Sequence, residues 1–227
     1  MRQRRERLYH HICQDLGYSR TGDRLARDYL GRRVQQGAAV PDFTGMTVAI
    51  CGGGPSLRDE LVRLTDVDAI VTASTATDVV EDAGHSIAMM VTDLDKNPAT
   101  AARLTTEGVP VAIHAHGDNI ELLQGWLRRC DPAWIIPTTQ AGPIATVQNP
   151  GGFTDGDRAA YLADRGGASR LEFLGWDLFD ESVVMEKRRK LRWAAIALLV
   201  LAAEREEEFE WIDSTRAEIV SRMELLR

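Results

Sequence analysis

From residue 46 onward the chain repeats one rhythm: a short apolar run rich in Val, Ile and Ala, a polar turn, then a stretch with helical spacing. The apolar runs fall at 47–51 (TVAIC), 68–73 (DAIVTA), 86–92 (SIAMMVT), 110–115 (PVAIHA), 134–138 (WIIPT) and 170–175 (RLEFLG). They are apolar at consecutive positions, as strands are when helices cover both faces of a parallel sheet. Helix-like segments lie between them near 56–64, 77–84, 98–108, 119–130 and 155–165. This alternation predicts an α/β fold, a doubly wound, mostly parallel sheet of about six strands. A long C-terminal helix is expected near 182–208. Its apolar stretch 193–203 should pack on the sheet or on a second subunit, so a homo-oligomer stays open. At eleven residues that stretch is shorter than the roughly 20 a membrane helix needs. Ahead of the repeating pattern, residues 1–44 read as an N-terminal segment of one or two helices. Nine basic residues face five acidic ones there, which suits either a solvated face or an arm turned toward phosphate or a partner. The expected division is thus 1–44, helical, and 45–227, an α/β catalytic domain.

Composition narrows the class. The chain has 227 residues, 44 % hydrophobic, with a formal charge of −7. One sizeable core fits this length, and the apolar share excludes disorder. A mildly acidic balance argues against a nucleic-acid partner. Three dispersed cysteines, Cys13, Cys51 and Cys130, form no Cys-x-x-Cys pair and predict reduced thiols. Arg2, Arg4, Arg5 and Arg7 precede no uninterrupted apolar segment, so a secretory signal is not expected. The expectation is a soluble, cytoplasmic protein with small-molecule partners and no membrane or nucleic-acid partner.

Ligands of open parallel sheets bind at the carboxyl ends of the strands, and those ends are polar and glycine-rich here. Gly52-Gly53-Gly54-Pro55-Ser56 follows the first run; glycines permit close backbone approach, and a helix opening at Pro55 or Ser56 favours an anion. Thr92-Asp93-Leu94-Asp95-Lys96 follows the third. Two carboxylates two residues apart suit Mg²⁺, and without a cation their proximity is costly. His114-Ala115-His116-Gly117-Asp118-Asn119 follows the fourth. It could ligate a transition metal, or place Asp118 on Mg²⁺ and the imidazoles on phosphate or a heterocycle. Thr138, Thr139 and Gln140 follow the fifth, and then Gly151-Gly152-Phe153-Thr154-Asp155-Gly156-Asp157-Arg158 opens a helix. Thr154 or Asp155 can cap that helix, and Asp155 and Asp157 are candidate metal or ribose ligands. Trp176, Asp177, Leu178 and Phe179 follow the sixth. Lys187 and Lys190, one turn apart, would counter a polyphosphate.

Taken in order, Gly53-Gly54-Pro55-Ser56-Leu57, Val91 to Asp95, His114 to Asn119, Gly151 to Ala159 and Lys187 to Leu191 resemble the archaeal MptE-like 6-hydroxymethyl-7,8-dihydropterin pyrophosphokinases. The likeness runs from about residue 46 to about 195. It implies a fold similar to the catalytic domain of thiamin pyrophosphokinase and a Mg²⁺-dependent transfer of the terminal diphosphate of ATP to a reduced pterin, releasing AMP, in tetrahydromethanopterin or folate synthesis. It implies Asp93, Asp95 and Asp118 as metal-side carboxylates, with Lys187 and Lys190 offsetting charge. The nucleotide is expected on Gly52 to Ser56, Thr138 to Gln140 and Gly151 to Asp155, and the pterin at His114, His116, Asn119 and Asp157. Two departures stand out: Ser74 and Thr75 replace an expected acid and glycine, and Lys96 replaces a glycine. The rival readings are a nucleotide-sugar transferase using Asp93 and Asp95, a metallohydrolase built on His114 and His116, and a non-catalytic nucleotide-binding module.

Overall fold

The computed structural model describes residues 2–178 and 180–213. Phe179 and residues 214–227, the end of the expected catalytic domain, lie outside the described residues. The chain opens with α1 (Arg2–Leu16) and α2 (Arg20–Arg33), then runs β1 (Thr47–Cys51), α3 (Leu57–Glu60), β2 (Ala69–Ala73), α4 (Ala76–Asp82), β3 (Met89–Thr92), α5 (Pro98–Thr106), β4 (Val111–Ala115), α6 (Ile120–Trp126), β5 (Ile135–Thr139), α7 (Asp155–Arg165), β6 (Arg170–Leu174), α8 (Met185–Arg205) and α9 (Glu210–Asp213). The predicted helices at 56–64 and 119–130 are each an α turn continued as a 3₁₀ turn, Leu61–Asp66 and Leu127–Arg129.

The six strands form one all-parallel sheet in the order β5-β4-β3-β2-β1-β6. The chain steps outward from β1 to β5 and then returns to β1's other side. Right-handed crossovers therefore place the helices of the outward steps on one face and α7 on the opposite face. The core follows this alternation. Val48, Ile50, Val71, Met89 and Val91 pack with Ala160 and Leu162 of α7, Leu198 and Leu201 of α8 and Ile12 of α1. Met90, Val111 and Ile113 face the other way, onto Leu104 of α5, Leu123 of α6 and Leu30 of α2. Ala49, Cys51 and Ile70 meet Leu57 and Val80 on that same side. Both faces are covered, which is why the strands lack alternation.

The apolar stretch of α8 is buried within the chain, with Trp193 to Leu198, Leu201 and Ala202 against the core. The helix ends at Glu206, which takes the left-handed conformation of a C-cap. Cys13, Cys51 and Cys130 are free and buried. Among the described residues no helix is long and apolar enough to cross a membrane.

Candidate active site

The carboxyl ends of all six strands open into one cavity of about 820 Å³. Its centre is the turn after β3. Leu94 has φ 71, a left-handed conformation for a residue with a Cβ. Its side chain is fully buried and its N–H donates to Thr92 Oγ1 at 2.9 Å. That reversal turns the flanking Asp93 and Asp95 into the cavity together, where Asp95 N–H also donates to Asp93 Oδ1 at 3.1 Å. The two carboxylates are pushed in opposite directions. Asp93 is burdened by burial, but bonds from His116 and Asp95 hold it well below the usual carboxylate range. Asp95 is pushed up to about 6, by burial and then by Asp93, against the pull of Lys96 and Lys187.

A third acid joins them. Asp155 opens α7, and its pKa is raised by burial, then by Asp93, with Arg158 and Lys187 opposing. Arg158 is itself buried, 1 % exposed, with Nη1 3.9 Å from Asp155 Oδ1. At the cavity mouth Lys187 has a lowered pKa, from desolvation first and neighbouring Lys96 second. Among the described residues Lys96 and Lys187 sit in no ion pair, whereas Lys190 binds Glu186 at 2.8 Å.

The β4 turn is held by Asn119. Its Nδ2 donates to Asp93 O (2.9 Å) and His114 O (2.7 Å), and its Oδ1 accepts from His116 N–H (3.0 Å). Asp118 N–H donates to His116 Nδ1 at 3.4 Å, which leaves Nε2–H to face Asp93 Oδ2, also at 3.4 Å. His114 turns elsewhere, its Nδ1 lying 3.2 Å from Thr138 Oγ1. The two rings stack with centroids 5.9 Å apart, but His114 Nδ1 is taken by Thr138, both ring nitrogens of His116 have partners, and among the described residues no third ligand joins them. Asp118 is exposed on the cavity wall.

The glycine turn after β1 is packed against the turn after β6. Gly52 and Gly54 N–H donate to Leu174 O and Gly175 O at 2.8 and 2.9 Å, and Trp176 Nε1–H reaches Ile50 O at 2.8 Å. A Cβ on Gly54 would sit 2.2 Å from Asp177 Oδ2. The anion at Ser56 is the chain's own: Asp177 Oδ2 accepts from Ser56 N–H at 3.0 Å and from its hydroxyl at 2.9 Å.

With this geometry in hand, comparison with known proteins is decisive. The sequence profile described as 6-hydroxymethylpterin diphosphokinase MptE-like matches residues 32–182. The chain belongs to the MptE-like family. It is 33 % identical over 189 residues to a protein of Methanothermobacter thermautotrophicus named 6-hydroxymethyl-7,8-dihydropterin pyrophosphokinase, covering 80 % of each chain. Proteins of the same name from Pyrococcus furiosus (31 %, covering 75 % of each chain) and Methanocaldococcus jannaschii (28 %, covering 76 % of this chain and 78 % of that one) are also similar.

Of the expected site residues, this MptE-like cavity is lined by Gly52, Gly53, Gly54, Pro55, Asp93, Asp95, His114, His116, Asp118, Asn119, Gln140, Phe153, Thr154, Asp155, Lys187 and Lys190. Others stand behind the wall. Ser56 is engaged by Asp177. Thr138 and Thr139 are buried, Thr139 Oγ1 accepting from Ala141 N–H at 3.1 Å. Gly151 packs on Tyr161, and Gly152, at φ 79, lies against the Arg158 backbone. Asp157 is fully buried and locks the start of α7, accepting from Phe153 N–H (2.8 Å), Thr154 N–H (2.6 Å) and the Thr154 hydroxyl (2.6 Å). Those bonds leave it no face toward a pterin. No group of three His, Cys, Asp or Glu side chains among the described residues is arranged to hold a metal ion.

Tyr18, Ser19 and Asp23, from the N-terminal segment and outside every motif, also line the wall, as does Arg158 of α7, which the Gly151 to Ala159 block contains without a role of its own. Asp23, 3 % exposed, accepts from Gly117 N–H at 3.0 Å and from the Tyr9 hydroxyl. The strongest local hint lay in the acid itself, charged and placed on the buried stripe of α2 with Ala26 and Leu30.

Proposed function

We propose that this protein is a 6-hydroxymethyl-7,8-dihydropterin pyrophosphokinase, transferring the terminal diphosphate of ATP to the pterin hydroxymethyl group and releasing AMP. What carries the reading is the meeting, in one cavity, of the Asp93–Asp95 turn with the His114 to Asn119 and Phe153 to Arg158 loops that mark the family. The hydroxyl oxygen bonds to the β-phosphorus and gives up its proton to a cavity base or to water, the bond from that phosphorus to the bridging α–β oxygen breaks, and AMP departs with that oxygen. Such a reaction calls for positioning and charge neutralisation rather than a covalent intermediate.

The residues present fit Mg²⁺. Asp93 and Asp95 are hard oxygen donors facing one cavity, and Asp95 is pushed up to about 6 by burial first and by Asp93 second, a charge cost that a dication relieves. Mg²⁺ needs only one or two carboxylates and completes its shell with water and phosphates. Asp93 and Asp95 would hold it, with Asp118 at the mouth. When bound, it would neutralise phosphate charge. Lys96 and Lys187, unpaired among the described residues, would neutralise the rest of the diphosphate. His116 is oriented by Asp118 N–H and Asp93, so its ring keeps a fixed attitude beside the acids. Gln140 after β5 stands at one end of the cavity along the sheet and the packed turns after β1 and β6 at the other, room for two substrates side by side.

The deciding experiment mixes the protein with ATP, Mg²⁺ and 6-hydroxymethyl-7,8-dihydropterin and separates the products by chromatography. Equal amounts of AMP and a pterin diphosphate are expected. ADP with a pterin monophosphate, or no turnover, overturns the reading.

A further inference from the structure

Three buried polar atoms on the cavity's lining residues have no hydrogen-bond partner: His114 Nε2, Gln140 Oε1 and Arg158 Nε. Their chemistry can be assigned. Thr138 Oγ1 lies 3.1 Å from Ile113 O, which can only accept, and 3.2 Å from His114 Nδ1; the arrangement that satisfies both gives the hydroxyl proton to Ile113 O and leaves Oγ1 to accept from His114. His114 Nδ1 must then carry the hydrogen, and Nε2 presents a lone pair. Burial, and then the charge of Arg158, hold the imidazole neutral well below its ordinary pKa, which keeps that lone pair free. The Gln140 amide is oriented just as firmly. Its Nε2 donates to Phe153 O at 3.3 Å, so Oε1 is the acceptor end. Arg158 Nη2 donates to the same carbonyl at 3.1 Å, leaving the single Nε–H donor unused.

These groups are neighbours. His114 and Thr138 are register partners on β4 and β5, and Gln140 lies two residues beyond. Phe153 O ties Gln140 to Arg158. The three atoms are buried on residues that line the cavity, so each carries an uncompensated desolvation cost, and a ligand reaches them by displacing the wall side chains that cover them. The Phe153 and Tyr18 rings, 6.1 Å apart, give this end of the cavity an aromatic surface.

We propose that the β4–β5 end of the cavity reads the edge of a flat heterocycle, with His114 Nε2 and Gln140 Oε1 accepting from two N–H groups and Arg158 Nε–H donating to an adjacent carbonyl oxygen. That pattern is the one presented by a 2-amino-4-oxopyrimidine ring: exocyclic amine, ring N–H, carbonyl. The assignment rests on the pterin reading above and gives it a direction. The pterin ring lies at β4–β5, leaving the β1–β6 glycine turn to the nucleotide.

The test compares full-length wild type with Gln140→Ala, His114→Asn and His114→Gln, using two probes: 6-hydroxymethylpterin and its lumazine counterpart, in which the 2-amino group is a carbonyl. His114→Asn keeps a donor where Nδ1 stood and deletes the distal acceptor; His114→Gln keeps an acceptor near the position of Nε2. Affinities are read by pterin fluorescence, and the KM for ATP is measured beside them. Wild type is expected to prefer the pterin over the lumazine by more than tenfold. Gln140→Ala and His114→Asn are expected to lose at least tenfold in pterin affinity and most of that preference, with the KM for ATP changing less than threefold. His114→Gln is expected to retain more of both than His114→Asn. If wild type turns the pterin over while Gln140→Ala keeps its affinity and preference, the edge-reading assignment falls and the pyrophosphokinase reading stands. If the KM for ATP rises instead, the ends of the cavity are reversed and the assignment falls as well. If wild type neither binds nor turns over the pterin, both fall together.

Discussion

Leu94 decides where two carboxylates point. A left-handed leucine costs about 1–2 kcal/mol, and complete burial of its side chain returns a similar amount, about 2 kcal/mol. The strained turn is therefore held by the core beneath it. Two acids two residues apart after a strand would share a side by the alternation of a strand. They do share the cavity, but β3 ends at Thr92, and a left-handed turn brings them together where the pleat has stopped. The residue types were legible; the backbone conformation was not, because nothing local in Thr-Asp-Leu-Asp demands it. The pair has a measurable signature. For an acid whose folded pKa is raised, ionisation is disfavoured in the folded state. Asp95 therefore contributes a destabilisation of the ligand-free protein that is absent at low pH and develops as pH rises from about 4 through about 6. Carboxyl-carbon NMR should find Asp95 titrating near pH 6, and Asp93→Asn should bring that midpoint down toward the ordinary value. A midpoint unmoved by Asp93→Asn would show that burial alone raises it. Lys187 supplies a second prediction at this scale. Without an ion-pair partner among the described residues, it owes little to the fold, and Lys187→Ala should lower kcat about 10²-fold while thermal denaturation moves by no more than about 1–2 °C. A large fall in melting temperature would make its role structural.

At the scale of the element, α7 shows how two acids two residues apart acquire opposite duties. Asp155 faces the cavity; Asp157 is the N3 acid of a capping box with Thr154. The sequence fixes neither role until the first residue of the helix is known, and a helix starting two residues earlier would put Asp155 at N3 instead. The six strands and α7 itself were legible, since a run such as TVAIC or a helix 155–165 is specified by its own residues and breakers. Asp157 should be worth stability. Asp157→Ala strips the partner from two backbone N–H groups and a hydroxyl in a buried setting, with an expected loss of about 3 kcal/mol in urea unfolding. Asp155→Ala removes a carboxylate whose charge is disfavoured by burial first and by Asp93 second and should cost less stability and far more turnover. The reverse ranking would exchange the two assignments.

The whole molecule depends on a contact that no window of sequence discloses. The N-terminal segment reads as a basic helical arm, yet α2 packs on β4 and β5 and its first turn touches the β4 loop, backbone to backbone. A Cβ on Gly22 would lie 3.0 Å from Gly117 Cα, and one on Gly117 would lie 3.2 Å from Gly22 Cα. Asp23 seals the contact through Gly117 N–H, and Tyr18 and Ser19 beside it become cavity wall. These partners are 94 residues apart in the chain, which is why a local reading could not pair them. Two glycines in helices make the test. Replacing a helical glycine with alanine ordinarily stabilises by up to about 1 kcal/mol. Gly125, in α6, has nothing within 4 Å of its added Cβ, and Gly125→Ala should follow the rule. Gly22→Ala should break it, because the obstructing atom is backbone that cannot rotate away, and α2 must lift from the β4 loop. The expected result is a lower unfolding midpoint for Gly22→Ala and a higher one for Gly125→Ala. Amide exchange should accelerate across residues 18–30 in the first variant alone, with a raised KM as Tyr18 and Ser19 withdraw from the cavity. Equal stabilisation by both substitutions would mean that the arm is only loosely seated and that the cavity functions without its wall.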